Sequence, residues 1–238
     1  MKIKKILKIS AGVIIFLTLP SLLFFGFVYF KYNEKLPVSS QPEQADILAH
    51  KMLDALDHEA FDNTNYIEWV FKKRRYYKWK KNQNHCTVYW KDYKVELDLN
   101  DPNSSIVYIH NFSVDGDLAK ELIEKAVTYF NNDSFWLVAP YKVFDKGTQR
   151  SLVTLDNGEL GLLVTYSSGG TTPGDSYLWH LDTSGKPNKF QMWVSMLPID
   201  GLAASWTDWT TTESGAQLPT LHTLLFLGIE ITDIKGRE

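Results

Sequence analysis

Between Lys8 and Lys31 the chain reads ISAGVIIFLTLPSLLFFGFVYF, 22 positions without a charged side chain. About 20 apolar residues at 1.5 Å each match a hydrocarbon core of roughly 30 Å, so this run predicts a helix that enters a membrane. A polar, proline-bearing stretch, LPVSSQPEQ, follows and reads as a spacer. The period then becomes helical. Ile47, Leu48, Met52, Leu53, Leu56 and Phe61 recur on one side of a segment from about Ala45 to Glu59. From Asn65 the period falls to two: NYIEWVF, RYYKWK, HCTVYW and YKVELDL succeed one another across short polar turns and predict an antiparallel meander. Tyr93, Val95, Leu97 and Leu99 alternate with Lys94, Glu96 and Asp98, which marks one buried and one wet face. IVYIHNFS adds a strand. DLAKELIEKAVTYF (residues 117–130) predicts a second helix, capped by Asp115 or Asp117, and SFWLVAPYKVF, SLVTL, LGLLVTY, SYLWHLD, KFQMWVSML, ASWTDWTTT and GIEITDIK read as further strands.

The pattern divides the chain into a basic N-terminus (residues 1–8), a transmembrane anchor (9–30), a linker (31–44) and one domain (45–238). The fold class is α+β: a single N-terminal transmembrane helix, then a curved antiparallel sheet in half-barrel form with two or more helices packed on it. More than ten strands in one sheet must curl or split.

Charge sets the orientation. Lys2, Lys4, Lys5 and Lys8 precede the span, so its N-terminal side is expected in the cytoplasm and the domain on the other side, in the periplasm of a bacterial inner membrane. KYNEKLPVSS offers no small-residue cleavage site, so the span is expected to remain as a signal-anchor. Residues 1–35 hold six Lys and one Glu of the chain's 25 basic and 28 acidic side chains, which leaves 19 against 27 in the rest. A net acidic domain argues against nucleic acid as a partner. The lone Cys86 forms no intramolecular disulfide or cysteine metal cluster and reads as a buried strand residue.

Few positions carry chemistry. YSSGGTTPGDSYLWHLD, from Tyr166 to Asp182, has the glycines of a phosphate loop, but Asp175 follows Gly174 where that motif needs lysine, and a strand pattern follows where it needs a helix. The stretch reads as a loop before a strand that binds no nucleotide. His50 and His58 are eight residues apart, about 12 Å along a helix, and His85, His110, His180 and His222 are isolated, so no metal, cofactor or catalytic residue is assigned. The run FKKRRYYKWKK (residues 71–81) sits between strand patterns as a hairpin tip, and Lys72, Lys73, Arg74 and Arg75 are its candidates for contact with anionic headgroups. The chain has eight Trp, nearly all in strand patterns. Trp69, Phe71, Trp179 and Trp193 are the candidates for lining an apolar cavity on the inner face.

This order of elements, with NNDSFWLVAPYKVFD before TPGDSYLWHLD, a turn and KFQMWV, resembles the LolA/LolB-type lipoprotein-carrier fold, in particular a bacterial subgroup common in Bacteroidetes. The resemblance covers roughly residues 45–238. It implies a half-open barrel whose apolar concave face holds acyl chains under a helical lid. Carriers of this type are soluble or anchored through a cysteine-linked lipid, whereas this chain carries a membrane span. The resulting expectation is a membrane-anchored, non-enzymatic extracytoplasmic protein that binds a lipid or lipoprotein acyl chain. The alternatives are an envelope hydrolase with convergent His and Asp side chains and a non-catalytic envelope scaffold.

Overall fold

A computed structural model describes residues 2–168 and 172–238. Among these residues four α-helices occur: α1 (Lys2–Tyr32), α2 (Pro42–Ala55), α3 (His58–Asn63) and α4 (Asp117–Val138). Fourteen strands form one sheet. They are β1 (Tyr66–Phe71), β2 (Arg75–Lys80), β3 (His85–Trp90), β4 (Tyr93–Asp98), β5 (Ile106–Ile109) and β6 (Phe112–Val114) before α4. After it come β7 (Thr148–Thr154), β8 (Leu160–Tyr166), β9 (Ser176–Leu181), β10 (Pro187–Trp193), β11 (Leu202–Ser205), β12 (Asp208–Thr211), β13 (Gln217–Leu224) and β14 (Leu227–Arg237).

The spatial order is β6-β5-β4-β3-β2-β1-β14-β13-β11-β10-β9-β8-β7, with β12 paired beside β13. The chain thus closes on itself in the middle, where the last strand pairs with the first through Tyr66↔Arg237 to Phe71↔Ile231. Every ladder is antiparallel. This topology dictates the course of α4. The strands on either side of it, β6 and β7, are the two opposite edges of the sheet, so the connection has to cross the whole face. Thirteen strands laid flat at about 4.8 Å each would be about 58 Å wide. The 22 residues of α4 supply only about 33 Å. The sheet is curved, which shortens the crossing and gives it an inner face for α4 and α2 to occupy.

Strand parity sorts the side chains. On β8, β9 and β10 the inner face carries Leu162, Val164, Tyr177, Trp179, Phe190 and Met192. Leu163, Leu178 and Trp193 point to the outer face, where they pack with Val153 of β7. The expected inner position of Trp193 is therefore corrected. Trp179 pairs with Phe190, and Trp193, three residues from Phe190, has the opposite parity.

IVYIHNFS forms two strands, β5 and β6, ASWTDWTTT is divided between β11 and β12, and the helix expected over 45–59 breaks into α2 and α3; other elements depart further from the sequence pattern. SFWLVAPYKVF is no strand: α4 runs on to Val138, with Phe130, Ser134, Leu137 and Val138 buried at helical spacing, and ends before Pro140. Its aromatic and β-branched residues carry strand propensity, which burial along a helical stripe overrides. The cap of α4 is Gly116, at φ +79°, where Asp115 or Asp117 was expected. The strand β13 carries no sequence signal, because Pro219 interrupts its pattern and the turn after it, Leu225-Phe226, contains no turn-forming residue. The linker is also shorter than its pattern: α1 reaches Tyr32 and α2 starts at Pro42, and between them Ser40 pairs with Leu152 on the edge strand β7.

Candidate functional site

α4 lies on the inner face through small residues, Ala119, Ala126 and Ser134, which let its backbone approach the strands, and through larger ones, Leu122, Phe130 and Leu137. One residue of this buried stripe is charged. Asp133 has no exposure, and its carboxylate accepts from Arg75 Nε at 2.5 Å and Nη2 at 3.0 Å and from the Tyr77 hydroxyl at 2.6 Å. Arg75 and Tyr77 are two apart on β2 and so share its inner face. The guanidinium is stacked between rings, 5.2 Å from the centroid of Phe71 and 4.4 Å from that of Tyr129. Burial alone would lower the Arg75 pKa, but the bonds to Asp133 outweigh it and raise it. Burial, with the Asp133 charge, pushes the Tyr77 phenol far up, so it remains a donor.

A second fastening lies one turn further along. His222, fully buried on β13, sets Nε2 2.7 Å from the carbonyl oxygen of Trp136 in the last turn of α4 and Nδ1 2.9 Å from that of Ser205. Burial lowers its pKa to about 4, against the pull of these two oxygens. The neutral ring carries one N–H and donates to only one of them.

Around these fastenings the inner face is aromatic. Trp69 stacks on Tyr77 at 4.5 Å, Trp79 meets Phe130 at 5.4 Å, and Trp179 meets Trp206 at 4.9 Å. The indole N–H groups of Trp69, Trp79, Trp179 and Trp206 and the hydroxyl of Tyr166 are buried without an acceptor among the described residues. A buried donor left unpaired costs about 1–3 kcal/mol.

The candidates from the sequence fall in three places. Trp69, Phe71 and Trp179 are on the inner face, each buried. Trp193 is on the outer face, where its Nε1 donates to the carbonyl of Glu34 at 2.8 Å. Of the basic run, Lys72, Lys73 and Arg74 are exposed at the β1–β2 turn, with Lys73 2.8 Å from Glu230. Arg75 is corrected to an inward position, since its charge is already engaged by Asp133. The loop reading of GGTTPGDS extends to residues 169–171, which lie outside the described residues. Beyond them, Asp175 is a structural acceptor that takes the Ser195 N–H at 3.0 Å and the Thr172 hydroxyl at 2.5 Å. Cys86 is buried on β3, and burial pushes its thiol well up.

The seat of α1 is a site the sequence pattern concealed inside a spacer. Glu34 N–H donates to the Asp200 carbonyl and Asp200 N–H to Asn33 Oδ1, each at 2.9 Å. Gln191 Nε2 reaches Glu34 Oε2 at 2.9 Å. Gly201, at φ +77°, passes so close that a Cβ there would stand 2.8 Å from that of Glu34. Beside this seat an open hollow of about 450 Å³ is bordered by Glu34, His180, Lys189 and Trp193. Val28 of α1 is itself buried against the core.

No family model matches the chain, and neither does any curated protein. Among solved structures it is similar to the crystal structure of a DUF1329 family protein from Desulfovibrio piger, at 9% identity over 83% of this chain and 94% of that one, with a TM-score of 0.41.

Proposed function

We propose that this chain is a single-pass, membrane-anchored binding protein of the bacterial envelope, without catalytic activity. Its periplasmic sheet holds the acyl part of a lipid or lipidated ligand on the inner face beneath α4. The anchor in this reading is α1, of which Leu7–Tyr32 has a mean hydropathy of 2.3 and is long and apolar enough to span a bilayer. The observation that carries the reading is the way α4 covers an aromatic face: its only charged buried residue, Asp133, is bound to the β2 residues Arg75 and Tyr77. A helix held by local polar fastenings over apolar surface can be released as a unit, and an acyl chain replaces the contacts that the helix gives up. Unpaired indole donors on the same face suit the ester or amide oxygens next to an acyl chain. The arrangement also fits the lid and concave sheet of the carrier fold that the sequence resembles.

A scaffold is the second reading, favoured by the complete burial of Trp69, Trp179 and Trp206, which leaves the inner face filled by the chain itself. A dansyl-labelled fatty acid titrated into the full chain in amphipol separates the two. Binding should be saturable, and Asp133→Asn, which weakens the fastening while keeping its shape, should tighten it by about tenfold, the ratio that 1.4 kcal/mol produces. A folded wild type and a folded variant that both fail to bind the probe would establish the scaffold.

A further inference from the structure

The turn between β13 and β14 runs Leu224-Leu225-Phe226-Leu227, four apolar residues where hairpins place Gly, Asn or Asp. Leu224 pairs with Leu227 to close it. Leu225 takes φ +55°, a left-handed conformation that is strained for a residue with a Cβ. Phe226 is 70% exposed and Leu227 51%. Water alone gives no reason for such a turn.

Its neighbour supplies one. The ring of Phe226 meets that of Phe24, centroid to centroid, at 6.1 Å. Phe24 lies within the apolar span Leu7–Tyr32, about 12 Å along the helix from Tyr32 by the rise of eight residues. A side chain that touches Phe24 from outside the helix is therefore below the headgroups whenever α1 spans.

The rest of the surface is graded to match. The β10–β11 turn, whose Asp200 is bonded to Asn33 just beyond the span, exposes 73% of Met196. The β1–β2 turn is on the same end of the sheet: Phe71 pairs with Ile231, and Lys72 N–H donates to the Glu230 carbonyl at 2.8 Å. Three residues of β14 separate that level from Leu227, about 10 Å. This sets Lys72, Lys73 and Arg74 back from the tip by nearly the depth at which the tip sits. With β14 upright on the bilayer, this offset would put the apolar residues deepest and the cations at the level of the anionic headgroups.

We infer that the β13–β14 turn is a second membrane contact, which inserts Phe226 and Leu227 among the acyl chains of the leaflet from which α1 emerges, with Lys72, Lys73 and Arg74 on its phospholipid headgroups. The inference rests on the reading of α1 as a span. Two fixed points, helix and turn, hold the domain in one orientation on the bilayer.

The test places one nitroxide at a time on the full chain in liposomes of phosphatidylethanolamine and phosphatidylglycerol. Cys86, buried, stays unlabelled. Labels at Phe226→Cys and Leu227→Cys should collide with oxygen several-fold more than with a water-soluble nickel chelate, as should Phe16→Cys in mid-span, while Asn157→Cys should show the reverse. A lipid-like Phe16 with water-like labels at both turn positions would overturn the inference and leave the span intact. A water-like Phe16 would remove the span and the inference together. Should one turn variant misfold, the other decides.

Discussion

Asp133 and Glu68 are buried acids on opposite faces of the sheet, and each is bound by named partners. Asp133 is bound by Arg75 and Tyr77 under α4. Glu68, on β1 and 9% exposed, accepts from the Tyr66 hydroxyl at 2.6 Å, the Tyr76 hydroxyl at 2.7 Å and Lys235 at 3.2 Å. Burial alone would raise its pKa, and these three donors outweigh burial and lower it to about 2. In the unfolded chain it returns to the ordinary value near 4.5. Between those values the unfolded state binds the proton more readily, so the stability due to Glu68 is present above pH 4.5 and is lost as pH falls toward 2. Denaturant titrations of the full chain and Glu68→Gln should show the difference between them shrinking across this window. A difference independent of pH would show that the three donors leave its titration unchanged. None of this was legible in the sequence, because Glu68, Tyr76 and Lys235 come together only when β14 pairs with β1 and β2 with β1.

At the scale of elements, legibility followed how local the determinant is. The alternation of β4 and the meander of β1 to β4 are set by neighbours in sequence, and the structure has them where the period of two puts them. α4 is set partly by what it crosses, so its second half, rich in strand formers, was readable only from the sheet beneath. Register misled in the same way, since the parity that separates Trp193 from Trp179 depends on which of two buried faces each side of β10 meets. Both faces are apolar here, and alternation alone does not rank them. The two tryptophans should therefore respond differently to truncation. Trp179→Ala empties the packed centre of the inner face and should cost about 3–5 kcal/mol. Trp193→Ala removes a ring from a small cluster of four buried side chains and the bond to Glu34, so it should cost less and loosen the exit segment. Thermal unfolding with hydrogen exchange at residues 33–37 measures both. Equal losses, with unchanged exchange at Glu34, would contradict this division of the faces.

At the scale of the molecule, the parts are a helix fit to span a bilayer, a seat that fixes its exit, and a sheet whose last strand returns to its first. The basic flank and the apolar run that suggest an anchored domain are contiguous in sequence and were visible there. The seat was hidden, because Asn33 and Glu34 look like spacer residues until Asp200, Gln191 and Trp193 are brought to them from more than 150 positions away. In the proposed function an acyl chain is held between α4 and the inner face. The most direct measurement is photo-crosslinking of the full chain in liposomes with a diazirine-bearing acyl lipid, followed by peptide mapping. Adducts should form on the inner-face residues of β1, β2, β9 and β10 and on the buried stripe of α4, and Asp133→Asn should increase them. Adducts confined to α1 and the β13–β14 turn, in wild type and variant alike, would contradict it.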